Sequence, residues 1–337
     1  MSLIKSLALV AIIFLFSACT QEANYKKIIG STMGTTYSVV AKVDEQDINQ
    51  IHQQIETELK DINQLMSTYI PDSEINQFNR LSDTSCFPFS DKTWQVLLAA
   101  RQVYLETDGV FDITLGPLIS RWGFNVEEYE QKVPASVDIE QLLAQVGTDK
   151  LQFDLNQQCI RKSLPQMTIN LSAIAKGFGV DQLALILDQH QVDSYLVEIG
   201  GEVKAKGLKN YNQNWKIAVE KPAIEMAQAQ SVVVNLLNTS IATSGDYRNY
   251  FEHQGKRFSH TINPETGYPV EHKLTSISVI HPSNMLADAY ATALNVMGTK
   301  AAFEFAENNK LAIYAIMQED TGPVTIANKQ FQGYISR

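Results

Sequence analysis

The chain has 337 residues, 45% of them hydrophobic and 19% charged, with a formal net charge of −10. That acidic balance argues against a nucleic-acid binder, which needs a basic face. The length allows one large domain or two intimate lobes with ample core, and no Cys/His cluster has zinc-like spacing.

In chain order, residues 1–18 read as a signal peptide. Lys5 lies beside the terminus, and the apolar run from Leu7 to Phe16 is too short for a comfortable membrane span. Phe16-Ser17-Ala18-Cys19 puts small residues just before a cysteine, the lipobox arrangement of bacterial lipoproteins, although Phe16 stands where leucine is usual. Cleavage would leave Cys19 as the first residue, carrying acyl chains that hold the protein to a membrane. Thr20 follows rather than aspartate, so no inner-membrane retention signal is legible and the choice of membrane stays open. Residues 19–28 are then a lipidated tether, and residues 29–337 the folded domain. Cys86 and Cys159 remain; an oxidising periplasm permits a disulfide, but their separation says nothing about proximity.

Residues 38–43 have strand character. Ile48, Ile51, Ile55, Leu59, Ile62 and Leu65, three or four apart, predict an amphipathic helix capped by Asp47. A second helix is expected over about 92–106, opened by Ser90 or Asp91 and closed before Gly109, and a third over 174–189. Residues 194–206, 215–220, 232–241 and 275–280 read as strands between turns. Helices over 286–296 and near 300–308 follow, then a last strand near 311–317. No repeat or Gly/Pro/Ser-rich linker divides the chain. Helices and strands mix without βαβ alternation, which favours an α+β fold with a mainly antiparallel sheet.

Five stretches carry more small and polar residues than packing needs. Ser31-Thr32-Met33-Gly34-Thr35-Thr36-Tyr37 precedes a strand and, alone, reads as a turn into the sheet. Asp108-Gly109-Val110-Phe111-Asp112 and the residues on to Leu118 could hold a planar ring, or simply stop a helix. From Asn170 to Asp181, through Ser172-Ala173-Ile174-Ala175-Lys176-Gly177-Phe178-Gly179, a turn leads into a helix start whose N–H groups and dipole suit phosphate. Lys176 could add charge at a pyrophosphate; the two glycines equally suit close helix packing, at about 1 kcal/mol each against alanine. The spacing is neither a P-loop nor a dinucleotide fingerprint. Ser259-His260-Thr261-Ile262-Asn263-Pro264-Glu265-Thr266-Gly267 is a tight turn entered by a histidine, a proton acceptor near neutral pH or a structural residue. Asp288 and Thr292, four apart on a helix, put a carboxylate and a hydroxyl on one face. That incomplete cage suits Mg²⁺, which takes its other ligands from water and phosphates; the alternative reading is a helix start with an incidental threonine.

Together and in this order, the five stretches resemble the ApbE family of FAD:protein FMN transferases, from about Ile29 to Met297. The resemblance implies a single two-lobed α+β domain with FAD between the lobes, and many members are periplasmic lipoproteins. It implies that Met33 and Tyr69 lie against the flavin end, that Val110, Phe111 and Asp112 line the flavin pocket, and that Asn170, Lys176 and Ile262 meet FAD. Mg²⁺ would be held by Asp288, Thr292 and the carbonyl of Ala173, with His260 as the catalytic base. Asn170 and Asn263 stand where the family usually has aspartate; both replacements remove a charge and bear on FAD affinity or metal preference.

The implied reaction is Mg²⁺-dependent transfer of the FMN moiety of FAD to a threonine or serine hydroxyl of a target protein, with release of AMP. The implied acceptors are flavoprotein subunits of membrane electron-transport complexes, such as the sodium-pumping NADH:quinone reductase or its Rnf-type relatives. Two other readings use the same residues: an FAD pyrophosphatase, in which water attacks the same bond, and a lipoprotein that only binds flavin. A pure binder has no need of the Asp288/Thr292 pair.

Overall fold

The computed structural model describes residues 25–124, 133–219, 232–245 and 250–336. The expected signal segment, Cys19 and residues 20–24 of the expected tether lie outside the described residues. Strand β1 (Tyr25–Thr32) takes up the rest of that tether and pairs with β2 (Thr35–Lys42) around Met33-Gly34. Both turn residues have positive φ, +49° and +71°, as a two-residue hairpin turn requires. Helix α1 (Ile48–Met66) buries Ile51, Ile55, Leu59 and Ile62 of the predicted stripe and Met66 beyond it, with Ile48 and Leu65 half-buried, and Asp47 makes no side-chain capping bond.

Next come α2 (Glu74–Asn79), β3 (Phe87–Pro88), α3 (Asp91–Glu106), α4 (Gly116–Arg121) and α5 (Ser136–Leu143). Strands β4 (Leu151–Asp154) and β5 (Cys159–Lys162) lead to α6 (Ala175–Gln189). The single strand expected over 194–206 is two, β6 (Tyr195–Ile199) and β7 (Glu202–Lys206). Gly200 and Gly201, at φ +58° and +97°, make the hairpin turn that only glycine enters without strain. After β8 (Trp215–Val219), the strand expected over 232–241 likewise divides, into β9 (Val232–Leu236) and β10 (Thr239–Gly245), with Asn238 left-handed at φ +52°.

The chain ends with β11 (Tyr250–His253), β12 (Lys256–Ser259), β13 (Leu274–His281), α7 (Asn284–Asn308), β14 (Ala312–Glu319), β15 (Gly322–Ala327) and α8 (Lys329–Gln332). Gly298 breaks α7 with φ 74° and ψ 168°, so the two helices expected there meet at a kink.

Eight strands form one sheet in the order β1-β2-β6-β7-β10-β13-β14-β15, every neighbouring pair antiparallel. The fold is a single α+β domain. Because successive strand residues face opposite ways, Val197 and Ile199 pack with α1 and α6, while Leu196 joins the β8–β9 hairpin and α8 on the other face. A separate cluster joins α3 and α7 to β13 and β14. A small sheet, β3-β5-β4, flanks this core.

Cys86 and Cys159 are joined by a disulfide, with Cα atoms 5.5 Å apart across a sequence separation of 73 residues. Close by, the buried Lys162 donates to the carbonyls of Asn79 and Leu81, both at 3.1 Å. Asn79 in turn pairs through its side chain with both backbone groups of Ile169, the residue before Asn170. Reducing the disulfide should lower stability by about 2–5 kcal/mol, read from denaturant melts with and without reductant. A change below about 0.5 kcal/mol would mean that the reduced chain is held just as well by the surrounding strands.

Candidate active site

Helices α6 and α7 pack against each other near their N-terminal turns, and each lends a carboxylate to the other's N-terminus. Asp181 of α6 accepts from the Asn284 and Met285 N–H groups, both at 3.1 Å, and from Ser283 Oγ at 2.8 Å, at the start of α7. Asp288 of α7 accepts from the Gly177 N–H at 3.0 Å, in the first turn of α6. A carboxylate at a helix N-terminus is favoured by the orphan N–H groups and the dipole. Gly177 makes the approach possible, since a Cβ there would fall on the Asn284 carbonyl and 2.8 Å from Asp288 Cβ. The N–H that the sequence offered to phosphate is thus engaged by Asp288.

Beside this crossing lies a cavity of about 290 Å³. Its wall includes Val110, Phe111, Asp112, Asn170, Ala173, Lys176, His260, Ile262, Asp288 and Thr292, residues from four of the five stretches singled out in the sequence. Lys176 Nζ stands 3.1 Å from Glu202 and 3.4 Å from Asp288, both carboxylates being almost wholly buried. Burial opposes the charge on Lys176, yet Asp288 and Glu202 outweigh it and hold the ammonium above the ordinary lysine range. Burial pushes the Glu202 carboxyl up, and the Lys176 ammonium beside it pulls it back down.

The opposite wall is knotted by hydrogen bonds. Asp112 accepts from the backbone and hydroxyl of Thr114, at 2.7 and 2.6 Å, and from the hydroxyl and backbone of Thr148, at 2.9 and 3.1 Å. Burial raises its pKa, and these donors work against the rise. Its carboxylate therefore braces the wall it was expected to offer to flavin. Asn170 Oδ1 accepts from the Ser172 N–H at 2.9 Å, an Asx turn into α6. Asn263 Oδ1 does the same for Glu265 N–H at 2.8 Å, and Asn263 itself lies outside the cavity wall. An aspartate would accept the same bonds, so both departures from the expected pattern leave the turns intact. Half-buried His260 follows β12 and sets its ring edge-on to Phe124, at 6.3 Å between centroids. Trp122 Nε1, at the end of α4, ties that helix to the histidine turn by donating to the Gly267 carbonyl at 2.9 Å.

The sequence pattern of the ApbE family matches residues 33–317. The chain belongs to the ApbE family. It is 42% identical to a Haemophilus influenzae protein named FAD:protein FMN transferase, over 98% of this chain and 97% of that relative. An Escherichia coli protein of the same name is 34% identical, over 97% of this chain and 96% of its own length. Among solved structures, the flavinyl transferase ApbE of Pseudomonas stutzeri superposes with a TM-score of 0.86 at 35% identity, covering 93% of this chain and 98% of that one. The flavin transferase ApbE of Vibrio cholerae gives 0.85 at 34% identity, covering 92% and 100%.

Two residues assigned to the flavin by resemblance to ApbE proteins do not line this cavity. Met33 lines a separate groove with Glu56, Lys60 and Asn63, and its methyl lies 3.1 Å from where a Cβ on Gly179 would sit. Tyr69 is 61% exposed. Conversely, Glu202, Thr243 and Ser244 line the cavity without having been singled out. The missed signal for Glu202 is the Gly-Gly pair before it, which turns the chain and points the next residue inward. Among the described residues, no group of three or more His, Cys, Asp or Glu side chains is gathered to hold a metal ion. The set that the cavity does gather, the Asp288 carboxylate, the Thr292 hydroxyl and the Ala173 backbone, is oxygen-only and suits a hard cation that keeps other ligands.

Replacing Gly177 by alanine in this ApbE-family chain should push α6 from α7 and cost about 1–3 kcal/mol by overpacking. Thermal melts would measure it; an unchanged midpoint would mean that the helices part without loss.

Proposed function

We propose that this chain is an FAD:protein FMN transferase that works with Mg²⁺, moving the FMN half of FAD onto a threonine or serine hydroxyl of a target protein and releasing AMP. The observation that carries the reading is the convergence of Asn170, Lys176, His260, Ile262, Asp288 and Thr292 on one cavity. The name borne by relatives at 34–42% identity points to the same activity. We further propose a lipid anchor at Cys19 and a periplasm-facing site, on the strength of the Phe16–Cys19 pattern; among the described residues, no helix is long and apolar enough to cross a membrane. The acceptors proposed are flavoprotein subunits of membrane electron-transport complexes, of the sodium-pumping NADH:quinone reductase or Rnf type.

In this reading the acceptor hydroxyl oxygen attacks the FMN phosphorus of FAD, and the bond from that phosphorus to the bridging oxygen breaks. AMP leaves with the bridging oxygen, and the hydroxyl proton passes to His260. Lys176 faces a pyrophosphate oxygen, so its ammonium offsets charge that builds on the leaving phosphate. Asp288, Thr292 and the Ala173 carbonyl would hold Mg²⁺, and its charge would offset that on phosphate oxygens. Val110, Phe111 and Ile262 give the apolar wall against which the flavin ring would rest.

The direct test incubates residues 20–337 with FAD, Mg²⁺ and an acceptor domain, then weighs the acceptor by intact mass spectrometry. A gain of one FMN, lost when Mg²⁺ is chelated, is expected. Free FMN and AMP without that gain would mean a pyrophosphatase, and intact FAD throughout a flavin-binding protein.

Asp288→Ala should abolish Mg²⁺-dependent transfer while keeping part of the FAD binding; full activity in that variant would sink the cation assignment. Loss of general-base help should slow His260→Ala by about 10²–10⁴-fold with FAD still bound. Transfer at the unmutated rate would remove His260 from the mechanism.

A further inference from the structure

Lys176 lies between two buried carboxylates, and the proposed chemistry claims only one of them. Its nitrogen is 3.1 Å from Glu202 Oε1, against 3.4 and 3.5 Å from the two oxygens of Asp288. The shorter contact is a hydrogen-bonded ion pair, and the longer ones are at the outer limit of such bonds. Glu202 is well placed to keep the ammonium. Its second oxygen accepts from the Thr243 N–H at 3.1 Å, which fixes the carboxylate plane, and its side chain is only 3% exposed, so little water competes.

The backbone turn at Gly200-Gly201 sets Glu202 at the head of β7. At Gly200 a Cβ would sit 3.5 Å from Lys176 Cδ, so the lysine stem runs alongside the turn. Asp288 is held from the other side by the Gly177 N–H on Oδ2. An ammonium resting on Asp288 would cancel its charge and repel any cation approaching it, since like charges a few ångströms apart in a desolvated site interact strongly.

We propose that Glu202 is a positioning residue: it holds the Lys176 ammonium on the β7 side of the cavity, leaving Asp288 to a divalent cation and Lys176 to a phosphate oxygen. The inference rests on the reading of function given above. It differs from simple charge balance, because a carboxylate that only neutralised Lys176 would do so at any reach.

Binding of Mn²⁺ alone, followed through the electron paramagnetic resonance of the free ion, separates these roles without recourse to turnover. Glu202→Gln keeps the shape and the acceptor for Thr243 N–H but loses the charge. Glu202→Asp keeps the charge but falls short of Lys176. Both should raise the half-saturating Mn²⁺ concentration about tenfold or more, the scale of coupling between contacting charged groups. In a Lys176→Met background, where no ammonium competes, neither should have that effect.

Thermal melts of each variant establish that the fold is retained. Wild-type affinity in Glu202→Asp, or an equal loss with and without Lys176, would show a charge effect alone and overturn the positioning role. So would unchanged affinity in both variants, or no Mn²⁺ binding by the wild-type chain. FMN transfer measured in parallel keeps the two readings apart. The expected order of affinities in a chain that transfers no FMN would overturn the function and spare the positioning role. Normal transfer with unaltered affinities would do the reverse.

Discussion

The reciprocal capping of α6 and α7 is the constraint around which the rest of the molecule is arranged. Two helix N-termini brought together would bury two sets of unsatisfied N–H groups and set like dipole ends against one another. Asp181 and Asp288 resolve this by exchange, each helix lending a carboxylate to the other's first turn. The arrangement tolerates no side chain at position 177, because the Asn284 carbonyl and the Asp288 stem already occupy that space. One small residue thereby sets the separation of the helices, and with it where Asp288 and Lys176 stand.

From that crossing the charges follow. A buried carboxylate left unpaired would be costly, and Asp288 has both a backbone donor and Lys176 beside it. Glu202 adds a second acid, so the site carries more negative than positive charge before any ligand enters. Such a surplus, walled by Phe111 and Ile262 on the apolar side, is an attractive place for a hard cation and the phosphates it would accompany. The far wall contributes stiffness. Asp112 gathers four donors, and Trp122 at the end of α4 donates to Gly267 in the turn that follows His260. Preorganised groups of this kind do not have to rearrange as charge develops.

Glu202 and Met33 show where reading along the chain runs out. The Gly-Gly pair before Glu202 is a turn signal in its own right, but the apolar residues on both sides, Val197 to Ile199 and then Val203, hid it inside an apparently continuous strand. Met33 lies in one of the five marked stretches, yet its side chain turns to Gly179, because the β1–β2 hairpin delivers it to α6 and not to the cavity. Neither outcome follows from spacing within a segment. Both depend on which segment lies across from it.

What the sequence by itself determined is the local and periodic part. The spacing of Ile51, Ile55, Leu59 and Ile62 makes the buried stripe of α1, and the absence of βαβ alternation gives the antiparallel α+β class, since these follow from helix and strand periods alone. The ordered motifs from Asp108 to Thr292 also marked most of the cavity wall in advance. Tertiary structure decided the contacts between residues far apart in the chain: Lys176 with Asp288, Cys86 with Cys159, Asn79 with Ile169. The physical reason is that a charge, a thiol or an amide shows the sequence its type but not its partner. Partners are chosen only when the sheet order, the hairpins and the close approach permitted by Gly177 bring distant segments into one desolvated space.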